Sequence, residues 1–204
     1  MVHGRIDLPE APRPPRPKRW TKQEYYRVIK ESPAFSQQRL YLFRGEVIEM
    51  SPQYHPHAYT VTELTTVLFE IFGVRQGRRV RVQLPFETPG DSVPEPDLAV
   101  CTDEQAARHP HPNRAELLIE VADSSLSDDR EVALEYAAAG VPEYWIIDVN
   151  ERRLEVYRSI VADPTTALGF RYVEISHVAE NHPIRPLAKP ETSFVLAAVL
   201  PKLK

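Results

Sequence analysis

Between Val80 and Val149 the apolar residues come in short runs that read as strands of one sheet, interrupted by a single helical stretch. Val80, Val82 and Leu84 alternate with Arg79, Arg81 and Gln83, the period of a half-buried strand. Residues 97–101 and 117–121 are short and apolar throughout, as strands covered on both faces are. A helix is expected over residues 128–139, with Ser127 as N-cap and Asp128 and Asp129 in its positive first turn. Gly140 supplies its stop, and Val141-Pro142 makes continuation costly. Residues 143–149 and 154–158 then form a strand pair.

The flanks extend this pattern. Thr21 and Glu24 make a capping box that opens a helix to about residue 31, closed by Pro33. Residues 40–43 and 46–50 read as two short strands turned at Arg44-Gly45. Ala58, Val61, Leu64, Leu68, Ile71 and Phe72 form one stripe of a helix over about residues 56–74. Residues 170–175 and 193–197 add strands at the end. The resulting order is a strand pair, a long helix, three strands, a helix and further strands. A mixed β-sheet flanked by helices, an α/β (α+β) class, satisfies it. Residues 1–19, rich in Pro and Arg, read as a flexible arm whose Arg13, Arg16, Lys18 and Arg19 could hold a phosphate backbone; residues 20–204 read as one domain.

Two carboxylates stand where packing alone would not choose them. Asp97 opens the run Asp-Leu-Ala-Val-Cys, and Glu120 sits inside Leu-Leu-Ile-Glu-Val. An ionised carboxylate among buried aliphatics needs a cation or several donors to offset its desolvation. If their strands pair, both can converge on one divalent ion, with Mg²⁺ the natural candidate and Mn²⁺ its usual substitute. Alternatively, Asp97 caps a turn after Pro96 and Glu120 faces solvent from an edge strand. The residues alone leave these two readings open.

Three longer segments carry a resemblance: residues 93–100 (VPEPDLAV), 117–125 (LLIEVADSS) and 136–148 (YAAAGVPEYWIID). Together with Arg44-Gly-Glu-Val47, Met50-Ser-Pro52 and His57, they resemble the Uma family of restriction-endonuclease-like proteins, within the PD-(D/E)XK superfamily, over roughly residues 22–200. The resemblance implies a restriction-endonuclease-like core. It implies an Mg²⁺-dependent endonuclease hydrolysing DNA, with Asp97 and Glu120 binding the metal. It also implies DNA as partner, and endonucleases that cut both strands suggest a homodimer.

The chain departs from that pattern at the lysine. Ala122 stands two residues after Glu120, and Val132 and Ala133 occupy the helical alternative. No lysine occurs between Lys30 and Lys189. Arg130 is the nearest substitute, with Arg81 a second, although guanidinium is a poor proton donor. A catalytically inactive descendant that binds nucleic acid or a protein is therefore the rival expectation. Glu46, His57 and Gln83 are candidates to line the site. Pro56 between His55 and His57 reads as loop, and Asp123 and Asp148 read as turn residues.

Composition narrows the remaining classes. The net charge of -4 gives no global attraction to nucleic acid, so binding must be local. Cys101, the only cysteine, excludes an intrachain disulfide and a cysteine-based zinc site, and reads as a small buried hydrophobe. No nucleophile elbow, phosphate-binding glycine loop or dinucleotide fingerprint occurs. No apolar run approaches the roughly 18 residues of a membrane span, and a signal peptide's apolar core is missing, so a cytoplasmic protein is expected.

Overall fold

The computed structural model describes residues 16–73 and 76–202. Most of the proposed arm lies outside the described residues. Its end does not float: Arg19 Nη1 pairs with Glu46 at 2.7 Å and Trp20 N–H donates to the Gly45 carbonyl at 2.8 Å.

Helix α1 (Lys22–Glu31) starts on the capping box, where Thr21 Oγ1 accepts from Glu24 N and Glu24 Oε2 accepts from Thr21 N at 2.9 Å. A four-residue turn, α2 (Pro33–Ser36), follows. Strands β1 (Leu40–Phe43) and β2 (Glu46–Glu49) pair antiparallel through Arg44 and Gly45, both at positive φ, as a tight two-residue hairpin turn requires. A Cβ on Gly45 would also meet the Trp20 carbonyl at 3.1 Å.

Helix α3 (His55–Phe72) begins earlier than its sequence suggests. Pro56 does not hold its ends in a loop, because a first-turn residue has no intrahelical use for the missing N–H. The buried stripe is Val61, Leu64, Leu68 and Phe72, with Thr60 taking the place expected of Ala58, which is exposed. Gly73 (φ 72°) ends the helix.

The main sheet contains β3 (Arg78–Val82), β4 (Leu98–Thr102), β5 (Leu117–Ala122), β6 (Glu143–Asp148), β7 (Arg153–Ala162) and β8 (Phe170–Ala179), in that spatial order. All neighbours are antiparallel except β5 and β6, which helix α5 (Leu126–Ala138) joins in parallel. The short helix α4 (Asp103–Ala106) follows β4, and β9 (Pro183–Ile184) pairs with β10 (Phe194–Val195). Two expectations fail at the ends of elements. Gln83 takes φ 49°, so β3 stops before Leu84, which is 44% exposed. Helix α5 starts two residues earlier than expected, at Leu126, with Ser125 in place of Ser127 as its N-cap residue.

Alternation sorts the strands onto two cores. Leu98, Val100, Ile119 and Trp145 pack against α3, whereas Ala99, Cys101, Leu118 and Tyr144 pack against Val132, Ala133, Tyr136 and Ala137 of α5. Cys101 is fully buried, and burial pushes its thiol up to about 11. A third cluster joins Tyr25 of α1, Leu42 of β1 and Val93, which fixes the hairpin beside the segment leading to Asp97. Among the described residues no helix is long and apolar enough to cross a membrane.

Candidate active site

The β4–β5 ladder pairs Leu98 with Ile119 and Ala99 with Leu118, so its next step sets Asp97 opposite Glu120 on the α5 side of the sheet. Here the side chains take over from the ladder. Glu120 Oε2 accepts from Asp97 N at 3.0 Å, and Asp97 Oδ2 accepts from Val121 N at 2.9 Å. This reciprocal exchange holds the strand ends apart and opens a cleft at their fork. Glu120 is therefore on a central strand, and the edge-strand alternative falls.

Further donors fix each carboxylate. His57 Nε2 lies 3.0 Å from Asp97 Oδ2, and Gln83 Nε2 donates to Asp97 Oδ1 at 3.1 Å. Tyr136 donates its hydroxyl to Glu120 Oε1 at 2.8 Å. His57 comes from the first turn of α3, so the early start of that helix is what delivers it. The left-handed backbone at Gln83 that ends β3 is also the one that accompanies its contact with Asp97.

Asp129 completes the cluster from α5, accepting from Ser125 Oγ at 2.7 Å. Burial pushes its carboxyl up to about 7, with the negative charges of Asp97 and Asp128 adding to the shift against the Ser125 hydrogen bond. Glu120 is raised well above the ordinary carboxylate range, first by burial and then by Asp97 and Asp129. Burial lowers the His57 pKa, but the hydrogen bond and charge of Asp97, with Asp129 and Asp123 behind it, outweigh this and leave it raised. Tyr41, across the cleft, is pushed up to about 12 by burial and by Asp128, Glu120 and Asp129.

The cleft encloses ≈ 470 Å³. Eight carboxylates line it (Glu49, Glu95, Asp97, Glu120, Asp123, Asp128, Asp129 and Glu131), against one arginine, Arg39, and one histidine, His57. No lysine is among the lining residues. Oxygen-only donors with this surplus of negative charge suit a hard divalent cation and repel an unescorted phosphate. Asp97 and Glu120 are the residues best placed to hold such an ion, with Asp129 beside them. Among the described residues no three His, Cys, Asp or Glu side chains converge as a ready-made ligand set.

Several sequence candidates lie elsewhere. Arg130 turns away from the cleft and clamps Glu155 of β7, Nε to Oε2 at 3.1 Å, so it does not replace the lysine. The cleft-facing residues of α5 are instead Asp128, Asp129, Glu131 and Val132. Arg81 donates to the Pro85 carbonyl at 3.1 Å, outside the lining. Glu46 sits at the far end of the hairpin on Arg19. Asp148 is the turn residue expected, accepting from Glu151 N at 2.9 Å, whereas Asp123 lines the cleft. Asp129 and Tyr136 were not expected. Their signal was present: 129, 132, 133 and 136 share one helical stripe, so an aspartate on that stripe turns from solvent, and Asp129 is half-buried.

The fold and site together are those of an α/β protein with a mixed sheet, helices on both faces and an acidic pair at a strand fork. The chain belongs to the Uma2 family, described as "putative restriction endonuclease", whose model matches residues 23–182. Among solved structures, a protein of Anabaena variabilis described as "a putative nuclease belonging to DUF820" aligns at TM-score 0.68 and 17% identity, covering 88% of this chain and 96% of that one. That likeness shows the fold. The type IIG restriction endonuclease BpuSI aligns at TM-score 0.36 and 15% identity, over 62% of this chain and 14% of that one. No curated protein matches.

Proposed function

We propose that the chain is an Mg²⁺- or Mn²⁺-dependent endonuclease that hydrolyses DNA phosphodiester bonds in this cleft. The observation that carries the reading is the reciprocal Asp97–Glu120 fork, crowded by Asp129 and without a Lys or Arg paired to any of the three. Asp97 and Glu120 would hold the ion, with the Asp129 carboxylate beside them. When bound, the ion supplies neutralisation of phosphate charge and a water of lowered pKa. The chain's own groups do the positioning. Gln83 and His57 fix the plane of Asp97, and Tyr136 fixes Glu120, so that the oxygens stay in place as charge develops.

The rival reading, a nuclease fold that binds without cutting, draws on one specific observation. Val132 and Ala133 leave the lysine position apolar, and Arg130 is committed to Glu155. Plasmid nicking with Mg²⁺ or Mn²⁺ separates the two. Cutting by the wild type that Asp97→Ala and Glu120→Ala each abolish supports hydrolysis. Cutting that survives both substitutions refutes the metal pair, and folded protein that never cuts supports the binding module.

A further inference from the structure

The second wall of the cleft says which form of nucleic acid fits. In the β1–β2 hairpin Leu42 and Val47 form one pair and turn to the α1 core, so the neighbouring pair, Tyr41 with Ile48, turns to the opposite face. Met50 N donates to the Arg39 carbonyl, extending that face by one more pair. Tyr41, Ile48 and Met50 thus line the cleft opposite Glu120 and Asp129, and Tyr54, 65% exposed, stands at the start of α3 beside them. The wall of Glu120 and Asp129 is acidic; the hairpin wall is aromatic and aliphatic, with Arg39 and Glu49 as its charged residues.

A DNA duplex presents phosphates and groove edges, with its base faces already stacked inside. Its affinity comes mainly from several Lys or Arg side chains that displace counterions, and this cleft offers one arginine. An unpaired nucleotide has complementary chemistry to both walls. Its base face stacks on tyrosine, and its phosphate reaches a cation held by the carboxylates. The volume of ≈ 470 Å³ lies within the range of small-molecule sites, about 300–1,000 Å³, as a single unstacked nucleotide needs.

Resting on the proposed nuclease reading, we infer that the substrate is single-stranded DNA, or a frayed or flipped-out nucleotide, with its base held on Tyr41 and Tyr54. The test uses a fluorescein-labelled oligodeoxynucleotide, alone or annealed to its complement. Binding is measured with Ca²⁺ and cutting with Mn²⁺. The single strand should bind and be cut at least about tenfold better than the duplex, with Tyr41→Ala and Tyr54→Ala each weakening its binding about tenfold, the scale of a lost stacking platform. Tyr41→Phe, which keeps the ring, should restore binding. Tyr54 is exposed, so its substitution remains informative if Tyr41→Ala misfolds. Equal use of duplex and single strand, or indifference to both alanines, overturns this inference and leaves the nuclease reading standing. Tyrosine-dependent single-strand binding without cutting sustains the inference and overturns hydrolysis. Absence of both binding and cutting overturns both.

Discussion

Two groups of carboxylates in this protein, one sealed in the core and one lining the cleft, are treated in opposite ways. Glu135, Glu143 and Glu155 are each sealed from solvent, and each has an arginine: Arg44, Arg158 and Arg130 respectively. Although burial pushes Glu155 up, Arg130 and Tyr157 outweigh it and hold its carboxyl below the ordinary range. Asp97, Glu120 and Asp129 instead receive neutral donors, an amide, a phenol, a hydroxyl and backbone N–H groups, with His57 the one of these partners able to carry positive charge. The chain neutralises its structural acids internally and leaves the cleft acids short of positive charge. A buried ionised group without a counter-charge is strongly disfavoured, so the second group is stable as a set only when partly protonated or bound to a cation.

The contrast can be broken most decisively at the cleft. Asp97→Ala or Glu120→Ala should reduce Mn²⁺-dependent cutting by several orders of magnitude in a plasmid assay, while the fold, by circular dichroism, persists. Arg158→Ala should do the reverse, leaving Glu143 buried without its cation. With Arg158 partly exposed, a loss of about 2–3 kcal/mol in urea unfolding is expected, with Mn²⁺ affinity unchanged. Gln83→Ala removes one of the donors that orient Asp97 and should weaken Mn²⁺ binding about 10–100-fold in calorimetry.

The pH dependence sharpens the comparison. Asp129 rises from 3.8 to about 7 on folding, and Glu120 is raised too, so the native state binds more protons than the unfolded chain across that interval. Stability contributed by the protonated cluster is present below the unfolded value and is lost as pH rises toward about 7. In EDTA the melting temperature should fall over that window, and Asp129→Asn should flatten the fall. In excess Mn²⁺ the decline should be reduced, because the ion replaces the protons. A smaller effect, a slight rise in melting temperature for Asp129→Asn in EDTA near neutral pH, follows from relieved repulsion.

Much of this was legible in the sequence because strand and helix periods reported burial directly. Asp97 and Glu120 stood out as charges inside apolar runs, and the ladder register then set them opposite one another. The three-dimensional partners were less legible. His57 and Gln83 were named as lining candidates and do line the cleft, but their contact with Asp97 was not legible, and Pro56 read as loop when it is a first-turn residue. Asp128 and Asp129 stand in the first turn of α5 as expected, but a first-turn placement does not reveal that Asp129, half-buried, lines the cleft. Arg130 was read as a cation near the site because nothing local reveals Glu155, which arrives from β7, twenty-five residues on. Pairings across the sheet depend on register and on helix phase, and a one-residue shift in either redirects a side chain.

The central claim is that the cleft acids await an external divalent cation. Calorimetric titration of the wild type with Mn²⁺ near neutral pH, repeated in buffers of different ionisation enthalpy, tests it directly. The account predicts one bound ion accompanied by net proton release from the Glu120–Asp129 cluster, with binding lost in Asp97→Ala. No Mn²⁺ binding, or binding that Asp97→Ala leaves intact and that releases no proton, would contradict it.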